Sequence, residues 1–95
     1  MPAYVIVDVN IHDAALYEEY KHLTPDTIAD YNGKFVVRGP QIENLEGAWP
    51  DNRLVILEFP SVARAKQWWN SPGYAAAKAI RHRTATTNMI VVEGV

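Results

Sequence analysis

Four stretches of the chain alternate apolar and polar positions with a period of two. Ala3 to Asn10 sets Val5, Val7 and Val9 against Tyr4, Ile6, Asp8 and Asn10. Lys34 to Gly39 sets Phe35 and Val37 against Val36 and Arg38. Arg53 to Phe59 sets Val55, Leu57 and Phe59 against Leu54, Ile56 and Glu58. Thr86 to Glu93 sets Met89 and Val91 against Asn88, Ile90 and Val92. Such alternation predicts strands with unlike faces. In all four the drier set is expected to face a helical layer, and that agreement is stronger than any one strand.

Between the first two strands the apolar positions change period. Leu16, Tyr17, Tyr20 and Leu23 recur at helical spacing behind Asp13, a good N-cap. Thr24-Pro25 is expected to break this helix, because the residue before proline avoids the α region. A short second piece from Asp26 to Tyr31 would then close at Asn32-Gly33. Pro60 ends the third strand, having no N–H for the ladder. Ser61 caps a helix with Val62, Ala65 and Trp69 on one side and Trp68 beside them. The pattern restarts at Ser71-Pro72, an N-cap followed by proline at the first helical position. An Ala-rich helix follows, with Ala76, Ala79, Ile80 and Arg83 at helical spacings. Pro40 to Asn52 is longer than a tight turn needs, which suits a binding or interface role.

The resulting order is βαββαβ. With right-handed crossovers it predicts an α+β, ferredoxin-like fold: a four-stranded antiparallel sheet with both helices on one face. The first and third strands are placed side by side in the centre and are expected to run parallel. The opposite face mixes Ile6, Val36, Leu54, Ile56, Ile90 and Val92 with Tyr4, Asp8, Arg38, Glu58 and Asn88. That mixture is too apolar for water and too polar for a plain core. Two copies packed face to face would bury it, giving a homodimer in the form of a dimeric α+β barrel.

Composition narrows the function. Ninety-five residues make one domain, residues 1–95, and 48% of them are hydrophobic. A net charge of -2 argues against non-specific binding to nucleic acid or an anionic membrane. With no cysteine there is no disulfide framework and no thiolate chemistry. No signal peptide or transmembrane run is evident, so a cytoplasmic protein is expected. His12, His22 and His82 lack ligand spacing, so no metal site is expected. No Gly-rich phosphate loop or nucleophile–base motif points to a cofactor or an acyl-enzyme.

The runs AYVIVDV, TPDTIADYNGKFVVRG, LEGAWPDNRLVILEFPS and WWNSPGYAAAKAIR span nearly the whole chain. In that order they resemble the family called domain of unknown function 1330. The resemblance implies a ferredoxin-like, dimeric α+β barrel and supplies no activity. More distantly, the architecture is similar to cofactor-free antibiotic-biosynthesis monooxygenases and related isomerases. Those have a pocket between helices and sheet lined by Trp, Tyr, Asn and Arg, and Trp68 and Tyr74 have a spacing similar to that pair.

Several residues are candidates for a site. Arg38, placed near Arg53, would clamp a carboxylate through planar bidentate donors, or else pair with Glu46 or a partner subunit. Asp8 and Glu58, read as ending parallel neighbouring strands, would share a raised pKa and move protons, or else be solvated rim carboxylates. Trp68, Trp69 and Tyr74 suit a planar substrate or ordinary packing. Trp49 reads as an interface anchor. Arg81 and Arg83 complement a helix dipole, and Arg81 also reaches towards a helix–sheet pocket. The leading expectation is a small-molecule-binding protein or cofactor-independent enzyme, monooxygenase- or isomerase-like, acting on a small aromatic or acidic compound. In it Arg38, Arg53, Trp68, Arg81 and Trp49 would bind, and Glu58, Asp8 and Tyr74 would catalyse. The alternative is a non-catalytic dimeric module.

Overall fold

The computed structural model describes residues 1–39, 41–50 and 52–95. Its elements are β1 (Ala3–Ile11), α1 (Ala14–Ala29), β2 (Lys34–Gly39), β3 (Arg53–Phe59), α2 (Val62–Trp69), α3 (Pro72–Thr84) and β4 (Ala85–Glu93). The second crossover thus holds two helices. The sheet order is β2-β3-β1-β4. All three neighbouring pairs are antiparallel, including the central one, in which Tyr4 faces Glu58 and Asp8 faces Leu54. The expectation of parallel central strands is therefore corrected. Each crossover returns the chain in its starting direction and the β2–β3 connection reverses it, so β3 opposes β1. The β2–β3 connection contains Pro40 and Asp51, which lie outside the described residues.

Asp13 accepts from the Leu16 amide at 3.1 Å, Ser61 from Arg64 at 3.0 Å and Ser71 from Tyr74 at 3.2 Å, so all three helix starts are capped. Pro25 does not end α1; it lies inside one continuous helix. Thr24 is buried and its hydroxyl donates to the Tyr20 carbonyl at 2.6 Å, while Ile28, a turn beyond Pro25, is buried in the core. Tertiary burial on both sides of the proline outweighs its local cost. Asn32 then takes the left-handed conformation, φ 64°. Gly33 serves close approach instead: a Cβ there would lie 2.5 Å from the Phe59 ring.

One core joins the sheet to all three helices. It packs Val5, Val7, Val9, Leu57 and Phe59 against Tyr17, Ile28, Ala65, Trp68, Tyr74 and Ala77. Two helical phases differ from expectation. In α2 the buried residues are Ala65 and Trp68, and Trp69 is left 41% exposed. In α3 the inward stripe is Tyr74, Ala77, Arg81 and Thr84, while Ala76 and Ala79 face out. Alanine is nearly indifferent to burial, so the large Tyr74 ring sets the rotation.

A β-bulge in β2 changes which residues reach the helical side. Phe35 faces Leu57, but Val37 faces Ile56 and Arg38 faces Val55. Val36 is the extra residue, and beyond it the side-chain parity reverses. Val37 therefore moves to the open face and Arg38 to the helix-covered one, the reverse of the simple alternation.

Candidate functional site

Arg81 lies at the centre of the site. The Ser71 cap and Pro72 fix the start of α3, and the Tyr74–Ala77–Arg81 stripe then aims the guanidinium into the helix–sheet layer, where Arg81 is only 3% exposed. Its Nε donates to Tyr74 Oη at 3.3 Å, one Nη to Thr87 Oγ1, and the other to His82 Nε2 at 3.4 Å. Every one of these acceptors is neutral. The ion pairs among the described residues are Lys21–Glu18 and Lys34–Glu58, neither of which involves Arg81. A buried cation held by neutral groups alone is costly, because dipoles replace only part of its hydration.

Aromatic residues fix this guanidinium. Tyr74 Oη lies 2.7 Å from Tyr20 Oη, and Trp68 stacks on Tyr74 with ring centroids 4.2 Å apart. Trp68 Nε1 donates to Thr27 Oγ1 at 3.1 Å, and its ring also packs 5.4 Å from Phe59. Trp68 is 1% exposed, so its ring position is set by packing and by that hydrogen bond together.

Two cavities meet at Arg81. A groove of about 330 Å³ runs between α2, α3 and the edge strand β4, lined among others by Lys66, Trp68, Trp69, Arg81, His82 and Thr87. A smaller cavity of about 40 Å³ lies between α1 and the sheet, lined among others by Tyr17, Tyr20, Arg38, Arg53 and Arg81. Trp68, Arg81 and Met89 border both and form the wall between them. No aspartate or glutamate among the described residues lines either one. The groove has the size of a small-molecule site, whereas the inner cavity has room for only about three waters.

The two phenols here keep their hydrogens at neutral pH, and His82 is an acceptor. Burial raises the Tyr17 phenol, opposed by the fields of Arg53, Arg81 and Arg38 and reinforced by Tyr74. Burial, reinforced by Tyr74, raises the Tyr20 phenol well above its usual value. Both therefore stay protonated. His82 is lowered, first by burial and then by Arg81 and Lys78, so it stays neutral and accepts from Arg81.

The structure thus brings together Trp68, Tyr74 and Arg81, and brings Arg38 and Arg53 to the inner cavity. Asp8 and Glu58 do not form a pair. Tyr4, not Asp8, faces Glu58, so the two lie four residues apart, about 13 Å along the strands. They lie on the face away from the helices, where Glu58 meets Lys34 at 3.6 Å and Asp8 meets Asn88 at 3.5 Å. Trp49 is 51% exposed in the β2–β3 connection and borders neither cavity. Sequence reasoning missed Tyr17, Tyr20, Lys66 and Thr87. The available signal was two phenols within the four-residue apolar stripe of α1, where leucine would pack without a hydroxyl to satisfy.

No curated protein matches the chain in sequence. Solved structures do match it in fold. A protein of unknown function from Rhodopseudomonas palustris superposes with a TM-score of 0.78 at 22% identity, covering 99% of this chain and 82% of its own. A dimeric ferredoxin-like protein of unknown function from Jannaschia sp. CCS1 gives 0.78 at 12% identity, over 99% and 100%. SnoaB, a cofactor-independent oxygenase from Streptomyces nogalater, gives 0.71 at 17% identity, over 99% and 93%. At these identities the likeness establishes a ferredoxin-like α+β fold and nothing finer. The family is set by sequence: residues 2–95 match its model, and the chain belongs to the family described as domain of unknown function (DUF1330).

Proposed function

We propose that this protein binds a small planar acidic or phenolic compound in the groove and acts on it without a cofactor, in the manner of an oxygenase or isomerase. The observation that carries this reading is the buried Arg81 guanidinium, held by neutral acceptors beside a groove of about 330 Å³. Half-exposed Trp69 offers aromatic surface to a planar ligand with buried Trp68 behind it, and Arg81 and Lys66 offer charge to its oxyanion. A guanidinium beside an enol or phenol favours the ionised form. The enolate is the electron-rich form that reacts at carbon with dioxygen or a proton. Its likeness in fold to a cofactor-independent oxygenase agrees with this chemistry.

The working unit in this reading is a homodimer joined through the open sheet face. Ile90, Val92, Val36 and Val37 are 59%, 44%, 50% and 38% exposed there or at its edges. Asp8 Oδ1 on this face is buried without a partner, leaving an acceptor that a second copy would satisfy. Two of the solved structures similar to this chain are described as dimeric.

Titration with 1-hydroxy-2-naphthoate, followed by tryptophan fluorescence, tests the site. Saturable quenching is expected, weakened about tenfold or more in Arg81→Met. The same variant is expected to keep or gain thermal stability, since methionine removes an uncompensated buried charge. Unchanged affinity in Arg81→Met overturns the assignment. Dioxygen uptake on adding the naphthoate separates an enzyme from a binding protein, and absence of any binding by an intact dimer favours the non-catalytic module.

A further inference from the structure

The inner cavity calls for a ligand of a different kind from the groove. An apolar cavity of about 150 Å³ is what a benzene ring needs, and this one measures about 40 Å³. It has room for about three waters, or three heavy atoms, which is the size of a carboxylate or a halide. Its polar lining is made of donors. Arg53 projects from the β3 position facing Val9, on the helix-covered side. Arg38 reaches the same side only because the Val36 bulge reverses the strand's parity, and its guanidinium lies 4.4 Å over the Phe35 ring. Arg81 enters through the back wall. Lys21 also borders the cavity, already neutralised by Glu18 at 2.9 Å. No ion pair among the described residues takes up the charge of Arg38, Arg53 or Arg81.

The hydroxyls point the same way. Arg81 donates to Tyr74 Oη, and Tyr74 contacts Tyr20. When Tyr74 passes its own hydrogen to Tyr20, the Tyr20 hydrogen is free for the cavity that Tyr20 borders. An anion there would complete a chain running from the buried guanidinium through two phenols.

We propose that this cavity is a binding site for a small free anion of formate or chloride size, adjoining the groove at Arg81. Arg53 and Arg38 hold the anion at the mouth, and Tyr20 and Arg81 meet it from inside. The anion offsets the positive potential of the three arginines and ties α1 to the sheet. The two sites share Arg81 in their common wall and are told apart by Arg38 and Arg53, which border the inner cavity alone.

Thermal unfolding of the full chain in sodium formate, sodium chloride or sodium gluconate at constant ionic strength tests it. Gluconate is too large for the cavity and reports screening only. A saturable rise in Tm with formate and chloride but not gluconate is expected, with half-saturation shifted about tenfold or more in Arg38→Gln and Arg53→Gln. An equal rise in gluconate, or an unchanged half-saturation in both variants, overturns the site. Chloride-35 NMR on the unmodified protein needs no variant. Line broadening reversed by formate supports the site, and no broadening overturns it. Naphthoate quenching run on the same variants keeps the two sites apart: it is expected to be unchanged, and its loss would tie the cavity to the groove and overturn their separation.

Discussion

The two faces of this sheet carry opposite charges and meet opposite surroundings. On the helix-covered face Arg38 and Arg53 project with Val55 and Leu57, joined by Arg81 from α3, and no carboxylate among the described residues lines the cavities there. On the open face Asp8 and Glu58 lie among Ile6, Ile56 and Ile90. Glu58 finds Lys34, and Asp8 finds only a long contact with Asn88. Among the described residues no acid pairs with these arginines, so Arg81, the one of the three that is buried, keeps an uncompensated charge. A fold stabilised only by its own contacts gains nothing from that separation, because a buried cation without an anion is a cost. In the proposed reading the covered face binds ligand and the open face meets a second copy.

The largest test of this contrast is Trp68→Ala on the covered face. It removes a ring that is 1% exposed and packed on Tyr74 and Phe59, and is expected to cost about 3–5 kcal/mol in denaturant unfolding. Exposed Trp69→Ala serves as its control and is expected to stay within about 0.5 kcal/mol. Equal losses in both would mean that the core is not built around Trp68.

The open face answers to a different change. Ile6→Asp places a charge between Ile56 and Ile90 at the centre of that face. Sedimentation equilibrium is expected to show the dimer weakened at least about tenfold. Naphthoate quenching by the monomer should persist, since Ile6 borders neither cavity. A dimer of unchanged strength would exclude the open face as the interface.

The smallest effect is a pH effect. Tyr20 has a folded-state pKa raised above 10.0 by burial first. Its protonated form is favoured on folding, so this contribution is fully present below the unfolded pKa and is lost as pH rises from about 10 through the folded value. Melting curves across that range should fall for the native chain and fall less for Tyr20→Phe, with Tyr17 supplying the remaining slope. An identical alkaline limb in Tyr20→Phe would mean that its hydroxyl is not sequestered.

Sequence alone determined the strands, the three helix caps and, in β1, β3 and β4, the pairing of the drier strand face with helices, because period-two alternation and N-cap chemistry are local. It also singled out Trp68, Tyr74, Arg38, Arg53 and Arg81. Tertiary structure decided where they point. The Val36 bulge was invisible because Val36 and Val37 are both apolar, so either register leaves an equally plausible pattern, yet that one inserted residue turns Arg38 to the other face. The rotation of α3 was hidden by its alanines, which fit inside or outside, until the Tyr74 ring chose the phase and carried Arg81 into the core. The proline in α1 broke a local rule that burial of Thr24 and Ile28 overrode. The separation of Asp8 from Glu58 followed from strand direction, a property of the closed topology that neither strand states alone.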